Sequence, residues 1–160
     1  MLDVDGVLTD GSLYYTSAGE EMKAFDIQDG LGIKLLQGGD VAVAIVTGRR
    51  SPMVERRARE LGIAHLVQGA EDKLSAYSRL LDEIGLDAAS SACMGDDLPD
   101  VPLLRRCALG ITVPDAPEVV KASAHLVTQH RGGRGAVREV CELILAAQDK
   151  LDRALEPYLR

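Results

Sequence analysis

The pattern that most constrains the fold is an alternation of short apolar runs with longer segments of helical spacing. Residues 41–46 form a continuous apolar run, which is typical of a strand buried in a parallel sheet. A charged helix is predicted next, with Ser51 as N-cap, Pro52 as first residue and Gly62 as stop. The same alternation predicts strands at 65–67, 91–94, 109–113 and 126–128, and helices at 29–36, 72–84, 98–106, 117–122 and 135–155. Repeated strand–helix units predict an α/β fold, in which a parallel sheet carries helices on both faces.

The beginning of the chain predicts a short apolar strand that ends in two carboxylates, Asp3 and Asp5. Residues two apart in a strand share a face, and Gly6 permits a sharp turn directly afterwards. Asp and Gly also favour turns for backbone reasons, so this stretch alone predicts either a turn or a site. Because strands usually run about five or six residues, we expect the natural protein to carry a few more apolar residues upstream.

Residues 13–16 and 21–26 flank a turn-like segment at 17–20, and the second arm alternates between apolar and polar side chains. They predict a β-hairpin over about residues 12–26, inserted after the first strand. An isolated hairpin is only marginally stable. We therefore expect this one to pack on another part of the protein or on another subunit.

The composition restricts the possible partners. A chain of 160 residues predicts one domain, spanning 1–160. A net charge of −7 and an isoelectric point near 4.9 argue against nucleic acid, which requires a basic footprint, but allow an anionic small-molecule substrate. Three widely spaced cysteines favour buried thiols in a reducing compartment. The sequence shows neither a signal-peptide pattern nor an apolar run of membrane-spanning length, so we expect a cytoplasmic protein without a membrane partner.

Polar groups stand at four predicted strand ends, and all such ends lie on one edge of a parallel sheet. Each group alone has an ordinary explanation as a strand exit, a helix cap or a solvated lysine, but their joint position on one edge indicates a site. The groups are Asp3 with Asp5, Thr47-Gly48-Arg49, Lys73, and Gly95-Asp96-Asp97.

The chemistry of this set fits phosphoryl transfer. Two unit charges about 4 Å apart repel by about 4 kcal/mol at an effective dielectric of about 20, so four carboxylates in one crevice need a cation. Mg²⁺ suits a few carboxylates together with a substrate phosphate. Lys73 and the hydroxyl group of Thr47 would hold phosphate oxygens. One carboxylate can attack phosphorus, and a second can protonate the leaving oxygen.

Four segments, DVDGVLTD, VTGR, EDK and MGDDLPD, match in order the motifs of the haloacid dehalogenase-like phosphatases, and the chain resembles that superfamily. The hairpin, FDIQDGLGIKLL, QGAEDK and GGRGAVREV further resemble its 3-deoxy-D-manno-octulosonate 8-phosphate phosphatase branch, which serves lipopolysaccharide sugar synthesis. The resemblance covers nearly the whole chain. It implies a Rossmann-like sheet without a cap domain, Mg²⁺ as cofactor, and a homotetramer whose sites lie near subunit interfaces.

The resemblance also implies roles for individual residues. Asp3 would be the nucleophile and Asp5 the general acid and base. Magnesium would be held by a carboxylate oxygen of Asp3, the backbone carbonyl of Asp5 and the carboxylate of Asp96. The other residues with an implied role are Thr47 and Gly48 at the phosphoryl group, Lys73 at its charge, and Asp97 and Asp100 in support of the metal.

Four further side chains bear on the substrate. Arg49 could pair with an acidic neighbour or bind a substrate carboxylate bidentately, and we favour the second because it adjoins Thr47. The glycine-rich segment 132–135 predicts a flexible entrance to the last helix, or it presents Arg134 or Arg138 to the substrate. Gln28 stands where relatives often carry Arg. If that Arg contacts the substrate carboxylate, the identity of the sugar is left open.

Three alternative functions therefore remain. The first is the same chemistry on a nonulosonate 9-phosphate, a sialic-acid-like sugar. The second is a phospho-receiver signalling domain. It is disfavoured because the phosphoacceptor of a receiver lies on a middle strand, whereas the two carboxylates here follow the first strand. In addition, the second carboxylate here supplies an acid and base for turnover of a phospho-aspartate, which a receiver must keep. The third is an inactive relative kept as an assembly partner, which the complete motif set disfavours.

Overall fold

The structure of the chain is a computed structural model that describes residues 1–19 and 21–160. The strands are β1 (Tyr14–Tyr15), β2 (Glu21–Met22), β3 (Ala44–Thr47), β4 (His65–Gln68), β5 (Ala92–Met94), β6 (Leu109–Thr112) and β7 (Leu126–Val127). The α-helices are α1 (Ile27–Gly38), α2 (Pro52–Leu61), α3 (Lys73–Ile84), α4 (Val101–Arg106), α5 (Glu118–Lys121), α6 (Ala136–Ala147) and α7 (Leu151–Leu155).

The centre of the sheet is the first segment of the chain, as its acidic end leads one to expect. Leu2 forms parallel bridges to Ile45 of β3 on one side and to Met94 of β5 on the other. With these bridges the parallel order is β4, β3, Leu2, β5, β6, β7. The first segment is therefore central, but its regular pairing is limited to one residue rather than a full strand.

Alternation along β3 shows how the sheet is covered on both faces. Ile45 belongs to the large core, whereas Ala44 and Val46 pack with Ala76 and Leu80 of α3 in a second cluster. Successive strand side chains point to opposite faces, so one strand contributes to two cores. The predicted α/β class, with a parallel sheet and helices on both faces, is confirmed.

Helices whose ends carry a capping residue in the sequence begin and end close to the predicted positions. Gly62 and Gly85 end α2 and α3 in left-handed conformations, which glycine adopts without a Cβ penalty. The side chain of Asp72 accepts the backbone N–H of Ser75 at the start of α3. In the part of the chain that the structure describes, no helix has both the length and the apolar character needed to cross a membrane.

Two helix boundaries were predicted wrongly. The helix expected from residue 29 begins at Ile27, because the side chain of Asp26 caps it by accepting the N–H groups of Gln28 and Asp29. The single helix expected over 135–155 is divided into α6 and α7. At the division Asp149 has a φ of 55°, and Lys150 donates its backbone N–H to Leu145 O at 2.8 Å and its Nζ proton to Gly39 O at 2.7 Å.

The hairpin is a ribbon of two residues in each arm, with Tyr14 paired to Met22. The turn predicted at 17–20 includes Glu20, which lies outside the described residues. Tyr14, Tyr15 and Met22 are exposed, whereas Phe25, at the base of the return arm, packs against the large core. The Arg57 guanidinium lies 5.8 Å from the Phe25 ring centroid and donates to Asp26 O. The ribbon is therefore anchored from its base.

The carboxylate of Asp29 joins α1 to the beginning of α6. It is buried, and it accepts the backbone N–H of Arg138 at 2.8 Å and that of Gly135 at 3.4 Å. Burial raises the pKa of Asp29, and these hydrogen bonds lower it only in part. The first N–H groups of a helix have no partner within it, so Asp29 caps α6 from another helix.

Asp29→Ala is expected to destabilise the protein by about 2 kcal/mol, because a buried donor that loses its partner costs about 1–3 kcal/mol. Urea unfolding at fixed protein concentration measures the change. Asp82→Ala, at an exposed position of α3, is the matched control and should change stability by less than about 0.5 kcal/mol. Equal losses in the two variants would contradict the capping role.

Candidate active site

The loop that follows Leu2 turns back within a few residues and places Asp3 at the centre of the sheet edge. The backbone N–H of Asp3 still donates to Met94 O at 3.0 Å, so this residue keeps its sheet position. The carbonyl of Val4 accepts N–H groups from Val7 and Thr9. Gly6 has a φ of 89°, and a Cβ there would lie 2.0 Å from the Asp96 Oδ2 atom. The turn thus requires glycine both for its φ and for the approach of Asp96.

Three carboxylates meet at this edge. One oxygen from each of Asp3, Asp96 and Asp100 lies within 4.8 Å of the other two. The Lys73 ammonium lies 2.9 Å from Asp3 Oδ1 and 2.6 Å from Asp100 Oδ1, and its side chain is only 7% exposed. When all four groups are ionised, the cluster carries a net charge of −2.

Asp100 has a larger part than the sequence suggested. It was expected to support the metal, but its Oδ1 atom accepts a hydrogen bond from Lys73 and its Oδ2 atom accepts the N–H groups of Asp96 and Asp97. Asp97, expected in the same supporting role, caps the helical turn Leu98–Asp100 through its carboxylate. Asp100 therefore orients both Lys73 and the loop that carries Asp96.

The excess of negative charge appears in the titration of the cluster. Burial, and next the charge of Asp100, raise the pKa of Asp3 to about 6 against the pull of Lys73. Burial, and next the charge of Asp3, raise the pKa of Asp96 to about 7. Burial alone would lower the pKa of Lys73, but Asp3 and Asp100 outweigh it and raise this pKa above its usual value.

The donor set fits a hard divalent cation. The contact of Lys73 with Asp3 Oδ1 lies outside hydrogen-bond geometry, so among the described residues this buried oxygen receives no hydrogen bond. A buried carboxylate oxygen without a hydrogen bond, beside a second carboxylate, provides the hard ligands that Mg²⁺ prefers. A divalent cation would also balance the net charge of the cluster. Asp3 and Asp96 are the carboxylates best placed to hold it, because Asp100 is engaged by Lys73 and by two backbone N–H groups.

The Asp5 side chain lies outside this cluster. Its Oδ1 atom accepts a hydrogen bond from Lys23, and its Oδ2 atom lies 3.7 Å from the Arg49 Nε atom. The Lys23 side chain is 1% exposed, whereas that of Arg49 is 45% exposed. The sequence analysis expected the backbone carbonyl of Asp5, and not its side chain, at the metal. The side chain is accordingly able to face Lys23 and Arg49. Sequence reasoning missed Lys23, although it lies in the alternating segment 21–26.

The predicted phosphate-binding segment follows β3 on the same edge. Thr47 is buried at the end of β3, and its backbone carbonyl accepts the N–H of Ala70 at 3.0 Å. Gly48 and Arg49 continue into the loop, where Arg49 reaches Asp5 as described. The structure thus brings the predicted residues Asp3, Asp5, Thr47, Gly48, Arg49, Lys73, Asp96, Asp97 and Asp100 to one edge of the sheet or to the loops that leave it.

The glycine-rich segment 132–135 packs on the loop after Asp3, a role that the sequence did not indicate. Gly133 donates its N–H to Val7 O at 2.8 Å, and a Cβ on Gly132 would lie 1.7 Å from Gly6 O. The neighbouring Arg134 lies 3.9 Å from Asp10, whereas Arg138 is paired with Glu142 on α6. The segment closes the loop from outside instead of forming a free entrance to the helix.

Two cavities lie at opposite ends of the sheet. One, of about 450 Å³, is polar and is lined by Gly6, Asp10, Asp96, Asp115, Arg131 and Arg134, among others. The other, also about 450 Å³, is apolar and lies below Met1 between residues 42–44 and 91–93. Of these two cavities, the polar one is lined by Asp96 of the carboxylate cluster. Next to it, Gln28 and Arg134 line a third recess with Phe25.

Comparison with known proteins supplies the family. Residues 62–140 match the haloacid dehalogenase-like hydrolase model. Over 152 residues the chain is 51% identical to the 3-deoxy-D-manno-octulosonate 8-phosphate phosphatase of Yersinia pestis, and the match covers 95% of this chain and 81% of the relative. The chain belongs to this phosphatase family of the haloacid dehalogenase-like hydrolases.

Other relatives agree with this family. The corresponding phosphatase of Escherichia coli K12 is 49% identical over 154 residues, which is 96% of this chain and 82% of the relative. A crystal structure of the phosphatase from Moraxella catarrhalis, in complex with magnesium, phosphate and KDO, superposes with a TM-score of 0.96 at 48% identity, covering 98% of this chain and 90% of that one. Members of the family are phosphoric monoester hydrolases. The expected superfamily, branch and enzyme class are therefore confirmed.

Mg²⁺ is expected to stabilise the protein most at alkaline pH. A carboxyl whose pKa is higher in the folded chain stabilises the fold below its unfolded pKa, and this contribution is lost as pH rises through the folded pKa. In chelator, Asp3 and Asp96 should therefore lower the melting temperature between about pH 4 and pH 7. At pH 8, Mg²⁺ at about 100 times its Kd should restore about 2.7 kcal/mol, or several degrees of melting temperature.

Differential scanning fluorimetry across pH, with Mg²⁺ and with EDTA, measures this effect. Asp96→Asn should abolish most of the Mg²⁺-dependent shift. Asp97→Asn should retain it, because asparagine caps a helix as well as aspartate does. A shift that is the same at pH 5 and pH 8 would contradict the assignment of the metal to these carboxylates.

Proposed function

We propose that the chain hydrolyses a sugar-acid phosphomonoester, 3-deoxy-D-manno-octulosonate 8-phosphate, in the synthesis of lipopolysaccharide sugar, with Mg²⁺ as cofactor. The observation that carries the proposal is the contact of Lys73 with both Asp3 and Asp100 beside Asp96 at the sheet edge. This arrangement places a carboxylate, a buried ammonium and a cation site around one point. The names of the relatives supply the sugar.

In the proposed reaction, an oxygen of Asp3 attacks phosphorus while the bond from phosphorus to the leaving sugar oxygen breaks. Asp5 gives its proton to that oxygen, and the enzyme carries an aspartyl-phosphate on Asp3. Asp5 then takes a proton from water, which attacks the aspartyl-phosphate and releases inorganic phosphate. When bound, Mg²⁺ neutralises charge on the phosphoryl oxygens.

Lys73, Thr47 and Gly48 bind the phosphoryl group in this scheme. Lys73 supplies a positive charge, because its two carboxylate neighbours raise its pKa and so keep its ammonium protonated. The hydroxyl group of Thr47 and the backbone at Gly48 lie on the neighbouring strand end, where they can donate to the remaining oxygens. Asp97 and Asp100 hold the loop of Asp96 and, through Asp100, the ammonium of Lys73.

Cationic side chains at the mouth of the site suit an acidic sugar. Arg49 is half-exposed next to Asp5, and Arg131 and Arg134 line the polar cavity. A guanidinium binds a carboxylate bidentately, and the substrate carries one carboxylate besides its phosphate. Gln28 is exposed in the adjacent recess, where it offers a neutral amide at the position at which relatives often carry a positively charged Arg.

We further place the protein in the cytoplasm as a homotetramer. The exposed side chains of the hairpin, Tyr14, Tyr15 and Met22, support assembly, because an exposed apolar ribbon is otherwise marginal. The expected small-molecule substrate agrees with the family. A phospho-receiver or an inactive partner is not favoured, since relatives of about 50% identity are phosphatases.

Phosphate release tests the activity and the substrate together. The wild-type protein should release phosphate from 3-deoxy-D-manno-octulosonate 8-phosphate far faster than from a nonulosonate 9-phosphate, and EDTA should abolish both reactions. Asp3→Asn should reduce kcat by more than about 10³-fold while the far-ultraviolet spectrum is unchanged, because the nucleophilic charge alone is removed. Preference for the nonulosonate would keep the chemistry and overturn the substrate. Turnover near wild type by Asp3→Asn would overturn the nucleophile.

Light scattering at micromolar concentration tests the assembly. The expected mass is four times the 17.1 kDa of one chain. Tyr15→Glu together with Met22→Glu should lower the mass, because charges would be buried in the interface. As a control, Leu159→Glu, at an exposed position close to the end of the chain, should leave it unchanged. A wild-type monomer would contradict the tetramer.

A further inference from the structure

The return arm of the hairpin carries a lysine into the site. Lys23 follows β2 directly, its side chain is 1% exposed, and its ammonium donates a hydrogen bond to Asp5 Oδ1. A lysine is almost never fully buried unless it is paired. Resting on the proposed function, we infer that Lys23 is a positioning residue for the reaction, which holds the Asp5 carboxylate where it exchanges protons with the leaving group and with water.

The charges around Asp5 explain why it needs such a partner. Asp3 is two residues away in the chain, and the cluster of Asp3, Asp96 and Asp100 already exceeds its one ammonium by two charges. Repulsion from this cluster would turn an unpaired Asp5 carboxylate outwards. Lys23 binds one carboxylate oxygen, and Arg49 lies 3.7 Å from the other, so the two cations fix both ends of the group.

The two cations differ in how firmly they are held. Arg49 is half-exposed and belongs to the loop after β3, where water screens its charge. Lys23 is enclosed, and Phe25, two residues further along the chain, packs against the core and fixes the arm. A buried ammonium on an anchored segment gives a single orientation to its partner. Of the two, Lys23 is therefore the residue that sets the geometry of Asp5.

A double-mutant cycle tests this inference. Lys23→Met removes the charge at nearly constant length, Lys23→Gln keeps a hydrogen-bond donor, and Lys23→Arg keeps the charge. The kcat and KM values for 3-deoxy-D-manno-octulosonate 8-phosphate are measured in the wild-type and in the Asp5→Asn background. Lys34→Met, at an exposed position of α1, is the matched control.

Lys23→Met is expected to lower kcat about 10–100-fold, part of the roughly 10²–10⁴-fold that a positioned acid or base contributes, with KM changed less than about threefold. Lys23→Arg should recover most of the loss, and Lys34→Met should have no effect. In the Asp5→Asn background Lys23→Met should have little further effect, because a residue that acts through Asp5 cannot act without it.

Pre-steady-state kinetics provide a second readout. p-Nitrophenolate leaves without needing a proton, so in Lys23→Met the first step with p-nitrophenyl phosphate should stay fast while hydrolysis of the phospho-enzyme slows. The expected result is a burst of one p-nitrophenolate per active site, larger than in the wild type. A purely structural loss would lower the burst and the steady rate together.

Several outcomes would overturn the inference. They are a kcat within twofold of wild type in a folded neutral variant, an equal loss in the Asp5→Asn background, or a loss confined to KM. Failure of both neutral variants to fold, while Asp5→Asn folds, would show that Lys23 serves the fold instead. A wild-type protein inactive on every phosphomonoester would contradict the proposed function, whereas an active wild type with an indifferent Lys23 contradicts only this inference.

Discussion

The structure depends on one ammonium held between two carboxylates at the end of the central segment. Lys73 contacts Asp3 and Asp100 in a nearly dry environment, where a lysine is stable only because its partners repay the cost of desolvation. One ammonium cannot balance three carboxylates, and burial, together with this imbalance, raises the pKa values of Asp3 and Asp96. The site therefore stores electrostatic repulsion that a divalent cation relieves, and the fold around it has to hold these groups together without one.

Close backbone packing provides that restraint. A Cβ on Gly6 would collide with the Asp96 carboxylate, one on Gly95 with Asp100, and one on Gly132 with the carbonyl of Gly6. Gly6 and Gly95 thus leave room for the carboxylates of Asp96 and Asp100, and Gly132 lets its loop lie directly on the loop of Gly6. Asp29 of α1 caps the beginning of α6, which directly follows the loop of Gly132. The position of that loop is therefore fixed by a helix and not by the site itself. The carboxylates can lie this close together because glycines stand where a side chain would displace them.

The sequence predicted the elements whose causes are local. Apolar runs, helix caps and the polar strand ends revealed the sheet, its parallel sense and the residues on its edge. The division of the last helix at Asp149 was not predictable, because the segment has neither glycine nor proline and the contact of Lys150 with Gly39 joins distant residues. Lys23 and Asp29 were missed for the same reason, since each finds its partner only after folding. For Lys23, the alternation of apolar and polar side chains over residues 21–26 was the available signal.

The hairpin connects the surface of the protein to its chemistry. The ribbon exposes Tyr14, Tyr15 and Met22, and the return arm places Lys23 on Asp5 and Phe25 against the core. A ribbon of two residues in each arm has too few hydrogen bonds to be rigid alone, so its conformation depends on what covers each side. In the proposed tetramer, a neighbouring subunit covers the outer side. The core contact of Phe25 fixes the return arm from its base, so the arm holds Lys23 on Asp5 while the exposed side chains of the ribbon remain available for the proposed assembly.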